Sequence, residues 1–142
     1  MFDFNVFDSE AASEKGAVLH LAHPITGEFV YVDEENTKAI TISALGPDSQ
    51  ANQKALQKAH LEARKAHSEL KEGEEFVMDY EKAVADTVQL YADLCTGFEG
   101  ITHKGKALTF SRGNAVILFA TYKEIRKQFG DFVADKANFI KG

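Results

Sequence analysis

Five histidines and one cysteine are the side chains of this sequence best suited to bind a metal or to act as nucleophiles. They are His20, His23, His60, His67, His103 and Cys95. The first two histidines lie three residues apart beside a predicted turn. The third and fourth lie two helical turns apart, which is too far to share one metal ion within a single chain. We therefore expect exposed, solvated histidines, a cysteine packed in the core, and no metal site.

The sequence contains no motif that signals catalysis. It has no GxSxG nucleophile elbow, no phosphate-binding P-loop and no dinucleotide-binding GxGxxG. Glu72, Glu74 and Glu75 cluster where a helix is predicted to begin, and acids there stabilise the helix dipole. The acidic run at residues 33–36 lacks the spacing of an EF-hand loop and predicts a solvated turn. We predict a non-catalytic protein without a cofactor; a small enzyme with a dispersed site stays open as an alternative.

The net charge of −6 is concentrated in the first third of the 142-residue chain. Residues 1–47 contain eight acids and two bases, whereas the remaining residues contain fourteen of each. Because basic charge is nowhere concentrated, we expect no nucleic-acid partner. The acidic N-terminus is unlike a signal peptide, and no apolar run approaches the roughly 20 residues that cross a bilayer. Together with the single cysteine, this predicts a cytoplasmic protein without a membrane partner.

Residues 1–47 have the pattern of short strands and turns. Phe2, Phe4 and Val6 alternate with polar residues, which predicts a half-buried strand. Further strands are predicted at residues 17–22, 29–32 and 37–44, with a hairpin loop over 23–28. Such a small sheet is only marginally stable alone, so it packs against helices or pairs with another chain.

Residues 48–142 have the pattern of helices. Four are predicted, at about 49–71, 74–94, 111–122 and 123–140, with Ser49 and Ser111 as candidate N-caps. A turn is predicted at residues 104–106. The expected fold class is α+β in a single domain over 1–142, with a small N-terminal antiparallel β-sheet followed by a bundle of about four α-helices.

Two apolar surfaces are candidates for binding another protein. The first is a thin, alanine-rich stripe on the 49–71 helix, which consists of Leu56, Ala59, Ala63, Ala66 and Leu70. This stripe either packs on the core of its own chain or docks against a partner or a second copy. The second is formed by Phe129, Phe132 and Phe139 on the last helix, whose alternative role is ordinary core packing.

A succession of short motifs covers roughly residues 40–142. The motifs are ISALGPDS at 42–49, FEGI at 98–101, KALTFS at 106–111 followed by NA at 114–115, IRKQF at 125–129 and FVADKANFI at 132–140. In order and spacing, this succession resembles the tail assembly chaperones of long-tailed, siphovirus-like bacteriophages. The chain departs from the family pattern at Phe98, where tryptophan is common, and at Ala107, where proline is common.

The resemblance implies a non-catalytic role in viral tail assembly. Members of this family bind the aggregation-prone tape measure protein and help to recruit tail tube subunits in the host cell cytoplasm. They are not expected in the mature virion. The resemblance therefore predicts the tape measure protein and the tail tube protein as partners, with self-association of this chain as a further mode. The alternative function is that of a structural virion protein, such as a tail completion or adaptor subunit.

Overall fold

The first described residues form helical turns where the sequence predicted a strand. The computed structural model describes residues 4–75, 77 and 79–140. Within them, a 3-10 helix spans Phe4–Phe7 and helix α1 spans Ser9–Lys15. The Asp8 carboxylate caps α1 by accepting a hydrogen bond from Ala11 N–H at 3.0 Å, an N-cap contact that stabilises the helix over an extended chain. The strand predicted from Phe2, Phe4 and Val6 is therefore wrong at its last two positions, and Phe2 lies outside the described residues.

Three antiparallel strands form the main sheet, in the order β1-β2-β3. Strand β1 spans Ala17–His20, β2 spans Thr41–Ala44 and β3 spans Cys95–Glu99. Leu19, Ile42 and Phe98 lie in register across the three strands, so their side chains point to the same face. The sequence pattern did not predict β3, which lies between two helices.

The connection from β1 to β2 is a hairpin-like loop with little regular pairing. Isolated bridges join Ala22 to Phe29 and Tyr31 to Ala39. The predicted hairpin loop over 23–28 is closed by a hydrogen bond from His23 N–H to the Glu28 carbonyl at 2.8 Å. The strand predicted at residues 29–32 is therefore reduced to single bridges. A second ribbon pairs β4 (Thr102–His103) with β5 (Lys106–Ala107) around the predicted 104–106 turn.

Four further helices follow the N-terminal region. They are α2 at Gln50–Ser68, α3 at Tyr80–Leu94, α4 at Arg112–Thr121 and α5 at Lys123–Ala134, with a 3-10 turn at Lys136–Asn138. Ser49 and Ser111 cap α2 and α4 as predicted. The helix predicted at 74–94 is α3, and it starts later than predicted because Asp79 is its N-cap. The last α-helix, α5, ends at Ala134, before the predicted end at residue 140. No helix in the described part has the length and apolar character needed to cross a membrane.

The core lies between the inner face of the sheet and helices α3, α4 and α5. Ile42, Leu94, Leu118, Phe119 and Phe129 are fully buried there. Cys95 packs in the same core, and burial raises the pKa of its thiol to about 11, so it stays protonated at neutral pH. The predicted α+β class, an antiparallel sheet together with a set of helices, is confirmed.

Candidate partner-binding groove

Helix α2 lies at the periphery of the fold and packs against the core through Ala51 near its start. None of its 19 residues is buried, whereas α3 buries Val88, Ala92 and Leu94. Leu56 and Leu61 on α2 expose 60% and 63% of their surface. A helix usually gains most of its stability from packing an apolar face. Here the alanine-, lysine- and glutamine-rich composition supports the helix through intrinsic propensity, which leaves its sides available for contact.

A groove with a volume of about 780 Å3 separates α2 from α3. Its α2 wall consists of Gln50, Ala51, Lys54, Ala55, Lys58, Ala59 and Glu62. Its α3 wall consists of Asp86, Thr87, Gln89, Leu90 and Asp93. Leu45 and Leu90 also pack against the buried core, so the apolar bottom of the groove is held by the rigid part of the fold. We call this feature the α2–α3 groove.

The junction between β2 and α2 fixes one end of the groove. Ser13 on α1 is buried, and its hydroxyl accepts a hydrogen bond from Asp48 N–H at 3.0 Å. Glu14 lines the groove and accepts a hydrogen bond from Gln50 N–H at 2.5 Å. A carboxylate at this position is favourable because the first turn of a helix has unsatisfied N–H groups and a positive dipole end. Helix α1 therefore anchors the start of α2.

The acids on the α3 side of the groove already have cationic partners. Lys82 Nζ lies 2.8 Å from the Asp86 carboxylate and 3.9 Å from that of Glu62. The hydrogen bond to Asp86, with the attraction of Asp86 and Glu62, raises the pKa of Lys82. Arg112 lies 2.8 Å from the Asp93 carboxylate. These exposed pairs contribute little stability, but they compensate the negative charge of that wall.

The two lysines of the α2 wall are not compensated in this way. Among the described residues, neither Lys54 nor Lys58 forms an ion pair. They are four residues apart, and side chains at that spacing lie on one face of a helix. The groove thus has an apolar bottom and a mixed set of charged groups along its walls, namely the two lysines together with Glu14, Glu62, Asp86 and Asp93.

Only part of the predicted stripe faces this groove. Of its five residues, Ala59 alone lines the groove. Leu56 and Ala63 are exposed and do not line it, and Ala66 and Leu70 are half-buried. Sequence reasoning missed Ala51 and Ala55, although their four-residue spacing with Ala59 was a usable signal. The wall of α3 had no signal, because its groove residues are ordinary polar positions of a core helix.

The predicted phenylalanine surface lies mostly in the interior. Phe129 is fully buried, with its ring centre 4.7 Å from that of Phe119. Phe139 is 7% exposed, and Phe132 is half-buried with its ring centre 5.5 Å from that of Phe139. Phe129 and Phe139 therefore act as core residues and offer no surface to a partner in this fold.

Two histidines differ from the expectation that all five are exposed. His20 is half-buried, stacks on Phe29 at 4.5 Å and donates through Nε2 to the Val30 carbonyl at 2.8 Å. His103 is half-buried with Nδ1 2.8 Å from the Tyr122 hydroxyl. Across residues 4–75, 77 and 79–140, no group of three or more His, Cys, Asp or Glu side chains is placed to hold a metal ion.

No family model, no curated protein and no solved structure matches this chain.

Proposed function

We propose that this chain is a bacteriophage tail assembly chaperone that binds the tape measure protein and tail tube subunits in the host cytoplasm. Support comes from the succession of motifs along residues 40–142 and from the α+β fold with an exposed helix. The role is non-catalytic: the chaperone covers apolar helical segments of its partner until the tail tube forms around them. It leaves before the virion matures.

The observation that carries this proposal is the exposure of α2. Helices gain most of their stability from packing an apolar face. A 19-residue helix without one buried residue would therefore be stabilised by a partner that covers one of its faces. The open groove between α2 and α3, with Leu56 exposed on the same helix, matches the geometry in which a partner helix lies in an apolar groove. A surface of this kind suits a protein that binds other polypeptide chains.

Co-expression tests the proposed function directly. The chain is expressed with the tape measure and tail tube proteins encoded nearby, followed by affinity pull-down and size-exclusion chromatography. We expect at least one partner to become soluble and to co-elute with this chain. If neither binds and the chain is found in purified mature particles, the structural virion protein replaces the chaperone.

The Leu56→Glu variant tests whether the stripe takes part in that binding. Because Leu56 is exposed, its replacement should change the free energy of unfolding by no more than about 0.5 kcal/mol. We expect partner affinity to fall about tenfold, since a charge would be placed against an apolar surface. The measurement is the dissociation constant by calorimetry, together with a thermal melt.

Leu61→Glu is the matched control for that variant. It makes the same exchange at an equally exposed leucine, about 140° further around the helix axis. Unchanged binding of Leu56→Glu, or equal losses for both variants, would contradict a role specific to the stripe.

A further inference from the structure

Strand β1 has a neighbouring strand on one side only, because β2 is the central strand of the sheet. Leu21 N–H, just after β1, donates to the Ile40 carbonyl at 3.0 Å, so the backbone groups of Leu21 face the β2 side. Successive residues of an antiparallel strand face opposite sides of the ladder. The N–H and C=O groups of Val18 and His20 therefore point outward from the edge of the sheet.

The next residue that faces outward shows what this edge requires. Both backbone groups of Ala22 are paired with the side-chain amide of Gln128 on α5, at 2.9 and 2.7 Å. In the described part of the chain, the outward backbone groups of Val18 and His20 have no corresponding partner. An unpaired strand edge is a template for pairing with another chain. The edge is thus closed at Ala22 and open along β1.

The β1 edge lacks the features that oppose the addition of a strand. Residues 17–22 contain no acid, lysine, arginine or proline, and β1 pairs with β2 without a register shift. Strand β3, at the other edge, contains Gly97 and the exposed Glu99, and its register with β2 shifts next to Ser43. Charges, bulges and glycine all disfavour edge pairing. Of the two edges of the sheet, β1 is therefore the one suited to receive a strand.

The side chains beside this edge are apolar and exposed. Val18 exposes 61% of its surface. Phe29 exposes 60% and stacks on His20, with ring centres 4.5 Å apart. Because Val18 and His20 are two residues apart in β1, their side chains point to the same, outer face of the sheet. A strand added at this edge could cover both the valine and the aromatic stack.

We propose that β1 pairs antiparallel with β1 of a second copy of this chain, with Leu19 opposite Leu19 of the second copy and Val18 opposite its His20. This register uses the outward N–H and C=O groups of both residues on each copy. It also sets Val18 of each copy beside the His20–Phe29 stack of the other, as a cross-strand pair. The proposal is independent of the chaperone role.

The occupant is a second copy because the edge is complementary to itself. The valine and the aromatic stack that it would cover lie on the same chain, which is what a two-fold interface requires. An unrelated extended segment would have to supply an apolar side chain of its own at the matching position. Since β1 has only four residues, the contact is smaller than a standard interface. We therefore expect a reversible dimer whose population rises with protein concentration.

Sedimentation velocity of the full-length chain over a concentration series measures this dimer. Val18→Pro is the informative variant, because it removes an outward N–H and proline is tolerated on a strand edge that faces solvent. The control is Val77→Pro, at an 82% exposed valine between α2 and α3. Each copy loses one donor in Val18→Pro, so we expect the dimer dissociation constant to rise at least about tenfold, and to stay within about twofold for the control.

Amide hydrogen exchange of the unmodified chain, followed by NMR, provides a readout that needs no variant. The amides of Val18 and His20 should exchange rapidly in dilute protein and become protected as the dimer forms. The amide of Leu19, which faces β2, should stay protected throughout and is the internal control.

A chain that stays monomeric at all concentrations, or a dimer whose Val18 and His20 amides exchange as in the monomer, would overturn the proposal. Equal dissociation constants for a folded Val18→Pro variant and the unmodified chain would do the same. Protection of these amides only after the tape measure protein is added would assign the edge to that protein and also overturn pairing with a second copy. Failure to capture the tail proteins would overturn the proposed function, whereas this pairing would stand.

Discussion

Gly46 links β2 to α2 in a space that has no room for a side chain. A Cβ added there would lie 2.5 Å from Ser13 Oγ and 2.9 Å from Phe139 Cγ. Two residues later, the Asp48 carboxylate lies 3.2 Å from Lys136 Nζ, and the buried Ser49 caps α2. The motif at residues 42–49 therefore has a structural role, because it fixes the direction in which α2 leaves the core.

Gly46→Ala should destabilise the fold. The neighbours of the new methyl include the backbone Cα of Ser13, at 2.9 Å, which cannot move without displacing α1. Overpacking of this kind costs about 1–3 kcal/mol. Urea denaturation followed by circular dichroism measures the loss.

Gly97→Ala is the control for that substitution. Gly97 lies in β3 with no atom within 4 Å of the position that its Cβ would take. We expect a change of less than about 0.5 kcal/mol there. Equal midpoints for the two variants would show that the junction is looser than the structure indicates.

At the scale of elements, the long β1–β2 connection is held to α5 by one side chain. The Gln128 amide accepts from Ala22 N–H at 2.9 Å through Oε1 and donates to the Ala22 carbonyl at 2.7 Å through Nε2. A side-chain amide here takes the place of a neighbouring strand. The connection also has isolated bridges and backbone hydrogen bonds of its own, and it buries Leu21 in the core, so the Gln128 contact adds an attachment to α5.

Gln128→Leu should weaken the attachment of that connection to α5. Two half-buried backbone groups would lose their partners, at a cost of about 1–3 kcal/mol. We expect faster hydrogen exchange at the Ala22 amide and a lower midpoint in urea. Gln57→Leu, at an exposed position of α2, is the control. An Ala22 amide that stays equally protected in Gln128→Leu would contradict the anchoring role.

Local signals explain which elements were predictable. Ser49 and Ser111 precede helical patterns, and both act as caps. Strand β3 was missed because Cys95–Glu99 follows α3 without a turn and contains Gly97, which is unfavourable in strands. The alternation at the N-terminus covers only three apolar positions, too few to outweigh the capping contact of Asp8.

At the scale of the whole molecule, the chain exposes more surface than its mass requires. Its accessible surface is 10114 Å2, whereas a compact monomer of 15.7 kDa has about 7,300 Å2. The exposed α2 and the long β1–β2 connection both contribute. The excess, about 2,800 Å2, is larger than the roughly 800 Å2 that each partner buries in a standard interface. Surface of this extent is consistent with a protein that works in complexes.

The candidate site was only partly predictable from the sequence. Apolar periodicity located α2 and one alanine of the groove, Ala59, because a helix face is a local property, but it missed Ala51 and Ala55. It did not distinguish the interior Phe129 from a surface residue, since both give the same spacing. The groove itself depends on how far α2 stands from α3. That separation is set by the junction at Gly46 and by Glu14 at the start of α2, which are contacts between distant parts of the chain.

Hydrogen-exchange mass spectrometry of the chain, alone and in complex with its co-purified partner, tests the central claim most directly. An exposed helix without buried residues should exchange rapidly in the free chain. Binding in the α2–α3 groove predicts slower exchange over residues 50–62 and 86–93, with the sheet unchanged. A complex in which both segments exchange as in the free chain, while protection appears elsewhere, would contradict the account.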